Sequence, residues 1–185
     1  MEFNFATLWE KTADLIPNET AIICGDEQKT WGEYENVSAK LATALIDAGL
    51  STYSKAGLYL HNSNEYLEAQ FSIFKIGGTP INVNYRYKSE ELLYLLDNSD
   101  CEALFYQACY GDQINKIKDS LPKIKAWIEV ADGSDSVVEN CMHYSSLIEQ
   151  CSEMERWNRP DDIVYMLYTG GTTGMPKGVM YNQAE

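Results

Sequence analysis

Basic residues are scarce in this chain of 185 residues: 14 Lys and Arg stand against 28 Asp and Glu, a formal net charge of −14. A nucleic-acid binder neutralises phosphates with clustered Lys and Arg, and an acidic surface of this kind repels the polyanion. Long apolar runs are missing as well, so no segment has the length of a membrane span. The opening stretch MEFNFATLWEK is acidic and amphipathic, without the basic and apolar regions of a secretory signal. Without such a signal, Asn18-Glu19-Thr20 and Asn36-Val37-Ser38 read as chance matches to the glycosylation sequon. Histidine occurs twice, at His61 and His143, and the five cysteines (Cys24, Cys101, Cys109, Cys141, Cys151) form no C-x-x-C pair. That pattern argues against a zinc site and for reduced thiols in a cytoplasmic protein.

What is present is ordinary globular material. Hydrophobic residues make up 45 % and charged residues 23 %, enough for one domain with a core. Leu8, Trp9, Thr12, Leu15 and Ile16 fall at helical spacing, and Pro17 closes that segment. Thr20–Cys24 and Gln28–Thr30, separated by Gly25-Asp26, read as a hairpin. Thr30-Trp31-Gly32-Glu33 is a capping box, opening a helix with Val37, Leu41, Leu45 and Ala48 inward and Gly49 as its left-handed end. Asn62-Ser63-Asn64-Glu65 reads as a second capping box, before a helix with Tyr66, Phe71 and Phe74 inward that runs to Gly77-Gly78.

Strands are expected at 56–60, 79–83, 103–106, 126–130 and 163–168. Further helices are expected from Ser89, over about 111–121 and over about 143–151. The acidic loop Asp132–Ser136 carries turn chemistry but marks no domain boundary. The last strand, IVYMLY, is apolar on both faces and predicts a central position in the sheet. Repeated strand–helix alternation predicts right-handed βαβ units. The fold class is therefore α/β, a mainly parallel sheet with flanking helices.

One segment carries chemistry. Tyr168–Val179 reads YTGGTTGMPKGV and follows the apolar strand directly. Thr169, Gly170, Gly171, Thr172, Thr173 and Gly174 combine backbone that tolerates close approach with hydroxyl donors, and Lys177 adds a positive charge. Successive backbone N–H groups in such a loop form an anion-binding concavity, suited to phosphate. The string is neither a Walker A loop, since the lysine precedes its glycine, nor a dinucleotide fingerprint, since G-x-G-x-x-G is absent. A glycine-rich hairpin turn between strands ending near Tyr168 and starting near Gly178 is the plain alternative.

The segment resembles the phosphate-binding signature of the adenylate-forming superfamily, [YF]-T-[SG]-G-[ST]-T-G-x-P-K-G-V, which includes acyl-CoA synthetases, firefly-type luciferases and peptide-synthetase adenylation domains. Every position matches, and the T-G-G-T-T-G-M-P-K-G form is most similar to bacterial fatty-acid or sterol-side-chain CoA ligases. Thr30-Trp31-Gly32-Glu33-Tyr34 resembles the family's T-Y-x-E-L element, and Phe74 through Asn84 its L-K-A-G-G-x-x-V-N-x-N element. Tyr85-Arg86-Tyr87 with Glu91-Leu92 and Tyr94-Leu95-Leu96 resembles the run that follows. Read as residues alone, Glu33 is a helix cap and Lys75 a solvated helix charge.

The resemblance implies an enzyme that joins a carboxylate to ATP, giving an acyl-adenylate and pyrophosphate, and then passes the acyl group to the thiol of CoA. It implies that Thr169, Gly170, Gly171, Thr172, Thr173, Gly174 and Lys177 hold the β- and γ-phosphates, with Thr169 near Mg²⁺. ATP, Mg and CoA are the implied cofactors, and a carboxylic acid the implied substrate, with no nucleic acid and no membrane span. No catalytic residue of the family is expected within the chain, because its Y-G-x-T-E element, ribose-binding Asp, hinge and late Lys all lie further on.

The chain therefore reads as residues 1–185 of the AMP-binding domain, the N-terminal portion of the acyl-CoA synthetase-like fold and about a third of such an enzyme. Asn182-Gln183-Ala184-Glu185, a third capping box, suggests a helix about to start where the chain ends. These residues alone are expected to be inactive. The alternatives are a portion of a peptide-synthetase adenylation domain and a non-catalytic nucleotide- or partner-binding module.

Overall fold

The computed structural model describes residues 4–135, 137–169 and 176–183. Helix α1 (Phe5–Leu15) starts where the Asn4 side chain accepts the Thr7 backbone N–H at 2.8 Å. Its buried stripe is Ala6, Glu10 and Ala13, with Trp9 half-buried beside them. Leu8, Leu15 and Ile16 face solvent, contrary to the apolar face read from their spacing. The partner decides the face. Trp9 packs on the rings of Phe71, Phe74 and Tyr34 at 5.0–5.8 Å, and turning the helix to bury Leu15 would give up that aromatic cluster.

Strands β1 (Thr20–Cys24) and β2 (Glu27–Thr30) form the expected antiparallel hairpin, turning at Gly25 with φ +60°. The Thr30 hydroxyl accepts the Glu33 N–H at 3.2 Å while the Glu33 carboxylate accepts the Thr30 N–H at 2.8 Å, the capping box that starts α2 (Trp31–Asp47). Helix α3 (Asn64–Lys75) is capped differently from the expectation. Ser63, not Asn62, is its N-cap, accepting from the Tyr66 N–H at 3.4 Å. The third helical residue is then Tyr66 and no capping box closes. The predicted helix over 111–121 is α5 (Gly111–Ile117), with 3₁₀ turns at Ala108–Tyr110 and Lys118–Ser120.

The remaining helices are α4 (Ser89–Asn98) and α6 (Tyr144–Gln150). The remaining strands are β3 (Lys55–Tyr59), β4 (Thr79–Asn82), β5 (Cys101–Gln107), β6 (Ala126–Val130), β7 (Met142–His143), β8 (Val164–Thr169) and β9 (Lys177–Asn182). These seven strands form one sheet in the order β7-β6-β5-β3-β4-β8-β9. Every neighbouring pair is parallel except β8–β9, so the mainly parallel sheet expected from the alternation is the one found. Strand β5 shows why its sequence is apolar throughout. Ala103 and Phe105 enter the core with α2, α3 and α6, whereas Leu104 and Tyr106 enter the core with α4 and α5.

Strand β8 departs from its expected central place. It lies next to the edge strand β9, and of its side chains only Met166 is buried. Leu167 is 37 % exposed and Met180 of β9 is 64 % exposed. An apolar run reports that a strand suits a covered position; which strands surround it is a matter of topology.

Lys75 is the larger correction. Read as a solvated charge, it is instead fully buried, at 0 % exposure. Its ammonium lies 2.8 Å from Glu10 Oε1 and 2.8 Å from Glu35 Oε1. Arg159 grips the same Glu10 with two bonds of 2.7 and 3.0 Å and donates to the Lys75 carbonyl at 2.8 Å. One buried and one half-buried carboxylate meet two buried cations, which is what makes burial of the charges tolerable. The cluster ties α1, α2, α3 and the segment before β8 into one body.

Candidate functional site

The hairpin of β8 and β9 frames the glycine-rich loop. Register runs from Val164↔Asn182 to Thr169↔Lys177, so Thr169 and Lys177 face one another as the last pair before the loop. Two phenols of the neighbourhood fasten its stems to α4. The Tyr168 hydroxyl donates to Asn98 Oδ1 at 2.9 Å, and the Tyr94 hydroxyl donates to the Pro176 carbonyl at 3.4 Å. One glycine of the motif has a packing reason. A Cβ at Gly178 would lie 3.1 Å from the Tyr168 ring and 3.2 Å from Met166 Sδ.

Of the residues singled out in the sequence, Thr169 and Lys177 are brought together at the loop's mouth, both exposed. Gly170, Gly171, Thr172, Thr173 and Gly174 lie outside the described residues, as do Ala184 and Glu185 of the third capping box. Of the plain hairpin reading, the described residues show the two paired strands that flank residues 170–175.

The loop's stem borders an open cleft of about 400 Å³ over the carboxyl ends of β3, β4 and β8, the end of an α/β sheet where ligands bind. Asn62, Asn82 and Asn84 contribute amides to its wall; Tyr66, Tyr85 and Tyr168 contribute rings. The Asn82-Val83-Asn84 alternation is the sequence signal for part of this wall: Val83 is buried while its neighbours are exposed. Asn62 was read as a cap, and the shift of that role to Ser63 leaves it free for the cleft.

Burial raises the phenols here. Tyr66 is pushed up to about 12, with Tyr165 adding to the effect of burial. Tyr87, by burial and then by Glu91, and Tyr168, by burial and then by Cys101, move in the same direction. These phenols stay protonated at neutral pH and act as hydrogen-bond donors and apolar walls. Among the described residues, no carboxylate, thiol or imidazole lines this cleft. Its described lining offers amides and phenols as hydrogen-bonding groups. At its flank, the Tyr110 hydroxyl and His61 Nε2 are 2.6 Å apart, and the His61 ring meets Tyr85 edge-on at 4.8 Å.

The family model described as "AMP-binding enzyme" matches residues 9–185. The chain belongs to the AMP-binding enzyme family. The adenylate-forming resemblance read from residues 168–179 is thereby borne out.

Within that family, a medium/long-chain-fatty-acid–CoA/3-oxocholest-4-en-26-oate–CoA ligase of Mycobacterium tuberculosis (strain CDC 1551 / Oshkosh) is 40 % identical over 185 residues, covering 98 % of the chain and 34 % of the relative. A 3-oxocholest-4-en-26-oate–CoA ligase of Rhodococcus rhodochrous is 37 % identical over 188 residues, covering 100 % of the chain and 34 % of the relative. In fold, the chain is similar to the crystal structure of the anthranilate CoA ligase AuaEII in complex with anthranoyl-AMP. The TM-score is 0.90 at 22 % identity, over 100 % of this chain and 36 % of that one. The chain thus spans 34 % of the length of these two curated relatives.

Other elements of the resemblance divide by role. Thr30 to Tyr34 is structural: it caps α2, and the Tyr34 hydroxyl donates to the Leu67 carbonyl at 3.0 Å. The Asn82-to-Tyr87 run reaches the cleft, through Asn82, Asn84, Tyr85 and Tyr87.

Proposed function

We propose that residues 1–185 are the N-terminal portion of the AMP-binding domain of a cytoplasmic AMP-forming acyl-CoA ligase. The parent enzyme joins a fatty-acid or sterol-side-chain carboxylate to ATP, releases pyrophosphate, and transfers the acyl group from AMP to the thiol of CoA. The carrying observation is the paired Thr169 and Lys177 at the mouth of the glycine-rich loop, opening beside a cleft at the carboxyl ends of the sheet. The likeness to CoA ligases that act on such acids supports the substrate class.

In this reading Thr169, Gly170, Gly171, Thr172, Thr173, Gly174 and Lys177 hold the β- and γ-phosphates of ATP. The described residues fit such a ligand. Lys177 is exposed, and the cleft walls carry amides and protonated phenols with no carboxylate to repel phosphate. Among the described residues, the Thr169 hydroxyl makes a 3.5 Å contact with the Lys177 carbonyl, as donor, and its oxygen lone pairs suit Mg²⁺. Bound Mg²⁺ would neutralise phosphate charge. The chain's own contribution is positioning: backbone and hydroxyl donors fix the phosphates, and the ammonium offsets their charge.

The test is the full-length protein with Lys177→Ala, and separately with Thr172→Ala and Thr173→Ala together, assayed by ATP–pyrophosphate exchange with a panel of fatty and sterol-side-chain acids. Loss of a charge-assisted phosphate contact is expected to lower kcat/KM for ATP by about tenfold to a hundredfold. The urea midpoint is expected to stay at the wild-type value, since Lys177 is exposed. Full exchange activity in both variants would overturn the assignment.

A further inference from the structure

At the opposite end of the strand order from the glycine-rich segment, the edge formed by β6 and β7 brings Glu129 beside Cys141 and His143, which lie further along the chain. Glu129 pairs in register with Tyr106 on β5 and with His143 on β7, so the three stand in a row across the sheet. Cys141 precedes His143 by two residues, and the period of an extended chain puts both side chains on one side. One ligand atom from each of Glu129, Cys141 and His143 lies within 4.8 Å of the other two. We propose that Glu129, Cys141 and His143 form a binding site for a divalent transition metal of the zinc type.

The geometry is close to what coordination requires. Ligands about 2.0–2.3 Å from a tetrahedral metal stand about 3.3–3.8 Å from each other. Glu129 Oε1 and His143 Nδ1 are already 3.4 Å apart. The Cys141 sulfur lies within 4.8 Å of both.

The carboxylate is held for the task. Glu129 is 8 % exposed, and its other oxygen accepts from the Tyr106 hydroxyl at 3.2 Å, the orienting contact expected behind a metal ligand. Among the described residues, no Lys or Arg forms an ion pair with Glu129; the ring facing it is His143, whose side chain is mostly exposed. A buried carboxylate without a permanent cation is a place where a cation is stabilised.

Charge and softness select the ion. On binding, the Cys141 thiol gives its proton to solvent, and one thiolate with one carboxylate balances a 2+ charge. A set of sulfur, nitrogen and oxygen suits zinc-type ions, whereas Mg²⁺ and Ca²⁺ prefer oxygen alone. A cavity of about 310 Å³ beside the three groups, reached also by Asn140, leaves room for a water as fourth ligand. The strap that carries Cys141 is anchored: Val138 is buried, and Asn115 Nδ2 donates to the Val137 carbonyl at 2.9 Å. Lys118 also donates to the Glu139 carbonyl. A metal here would clip the strap and the two-residue strand β7 to the sheet.

The test uses the reduced full-length protein and Co²⁺ as a spectroscopic probe. One equivalent is expected to give a thiolate-to-metal charge-transfer band, abolished by Zn²⁺ and absent from Cys141→Ser. His143→Ala, at a position whose side chain is mostly exposed and so tolerated by the fold, is expected to weaken binding at least tenfold. Tyr106→Phe is expected to weaken it by about tenfold through the second contact. Cys109→Ser should leave the band intact. Absence of the band at one equivalent, or its survival in Cys141→Ser, would overturn the site and leave an ordinary histidine–glutamate pair.

Discussion

Lys75 carries a charge that the fold surrounds with charge. Its ammonium sits between Glu10 and Glu35 and 4.7 Å from the centre of the Phe71 ring. Removing one member of a buried ion cluster leaves its partner uncompensated, at a cost of about 3–5 kcal/mol. Here Arg159 still holds Glu10 and Arg156 still reaches Glu35 at 3.1 Å, so the lower end is expected. Lys75→Met should therefore lower stability by about 3 kcal/mol in urea unfolding. A loss under about 0.5 kcal/mol would place Lys75 with ordinary surface lysines. Glycine positions show the same dependence on neighbours. A Cβ at Gly57 would come within 2.6 Å of Leu104 Cδ1, and one at Gly78 within 2.8 Å of the Ser54 carbonyl. Only the second obstacle is backbone, so Gly78→Ala is the substitution less able to relax.

Elements are set by their ends as much as by their faces. The Thr30–Glu33 pair satisfies two backbone or side-chain groups at the start of α2 and joins that helix directly to β2. Thr30→Ala is expected to cost about 1 kcal/mol, read as a lower urea midpoint with an unchanged slope. Glu33→Gln should cost less, because an amide oxygen still accepts the Thr30 N–H. Helix α4 has a second duty, fastening both stems of the β8–β9 loop through Tyr168–Asn98 and Tyr94–Pro176. Much of the fold was readable at this scale. Caps, left-handed glycines and alternating apolar runs act through neighbours in sequence, so α2 and the β1–β2 hairpin stand where the residues predict them. The cap of α3 was misplaced by one residue, because Asn62 and Ser63 are both good caps and only the backbone decides between them.

Acid should loosen the whole molecule through the cluster that ties its helices together. Burial pushes the Glu10 carboxyl up, but the Arg159 hydrogen bond and the Lys75 charge outweigh it, and the net shift is downward from 4.5. A carboxyl with a lowered folded-state pKa stabilises fully above its unfolded value and loses that contribution as pH falls through the folded value. Stability is expected to hold down to about pH 4.5 and to decline below it, followed by thermal unfolding. Relief of repulsion among the excess acids acts in the opposite sense, since the net charge is −14 at neutrality. The comparison with Glu10→Gln separates the two: that variant should be less stable at pH 7 and show a shallower loss below pH 4.5. An unchanged slope would detach the acid response from this cluster.

The amino-acid sequence by itself determined the α/β class, the parallel alternation and the family's glycine-rich motif, because these depend on local periodicity, capping and residue types within a short string. The tertiary structure alone decided which face of α1 is buried, that β8 lies next to the edge, that Lys75 is inside, and that Glu129 meets His143. Each of these depends on what packs opposite a residue. Residues 10 and 75, or 129 and 143, become neighbours only when helices dock and strands take their register, and that docking sets whether a charge is solvated, paired or poised to hold an ion.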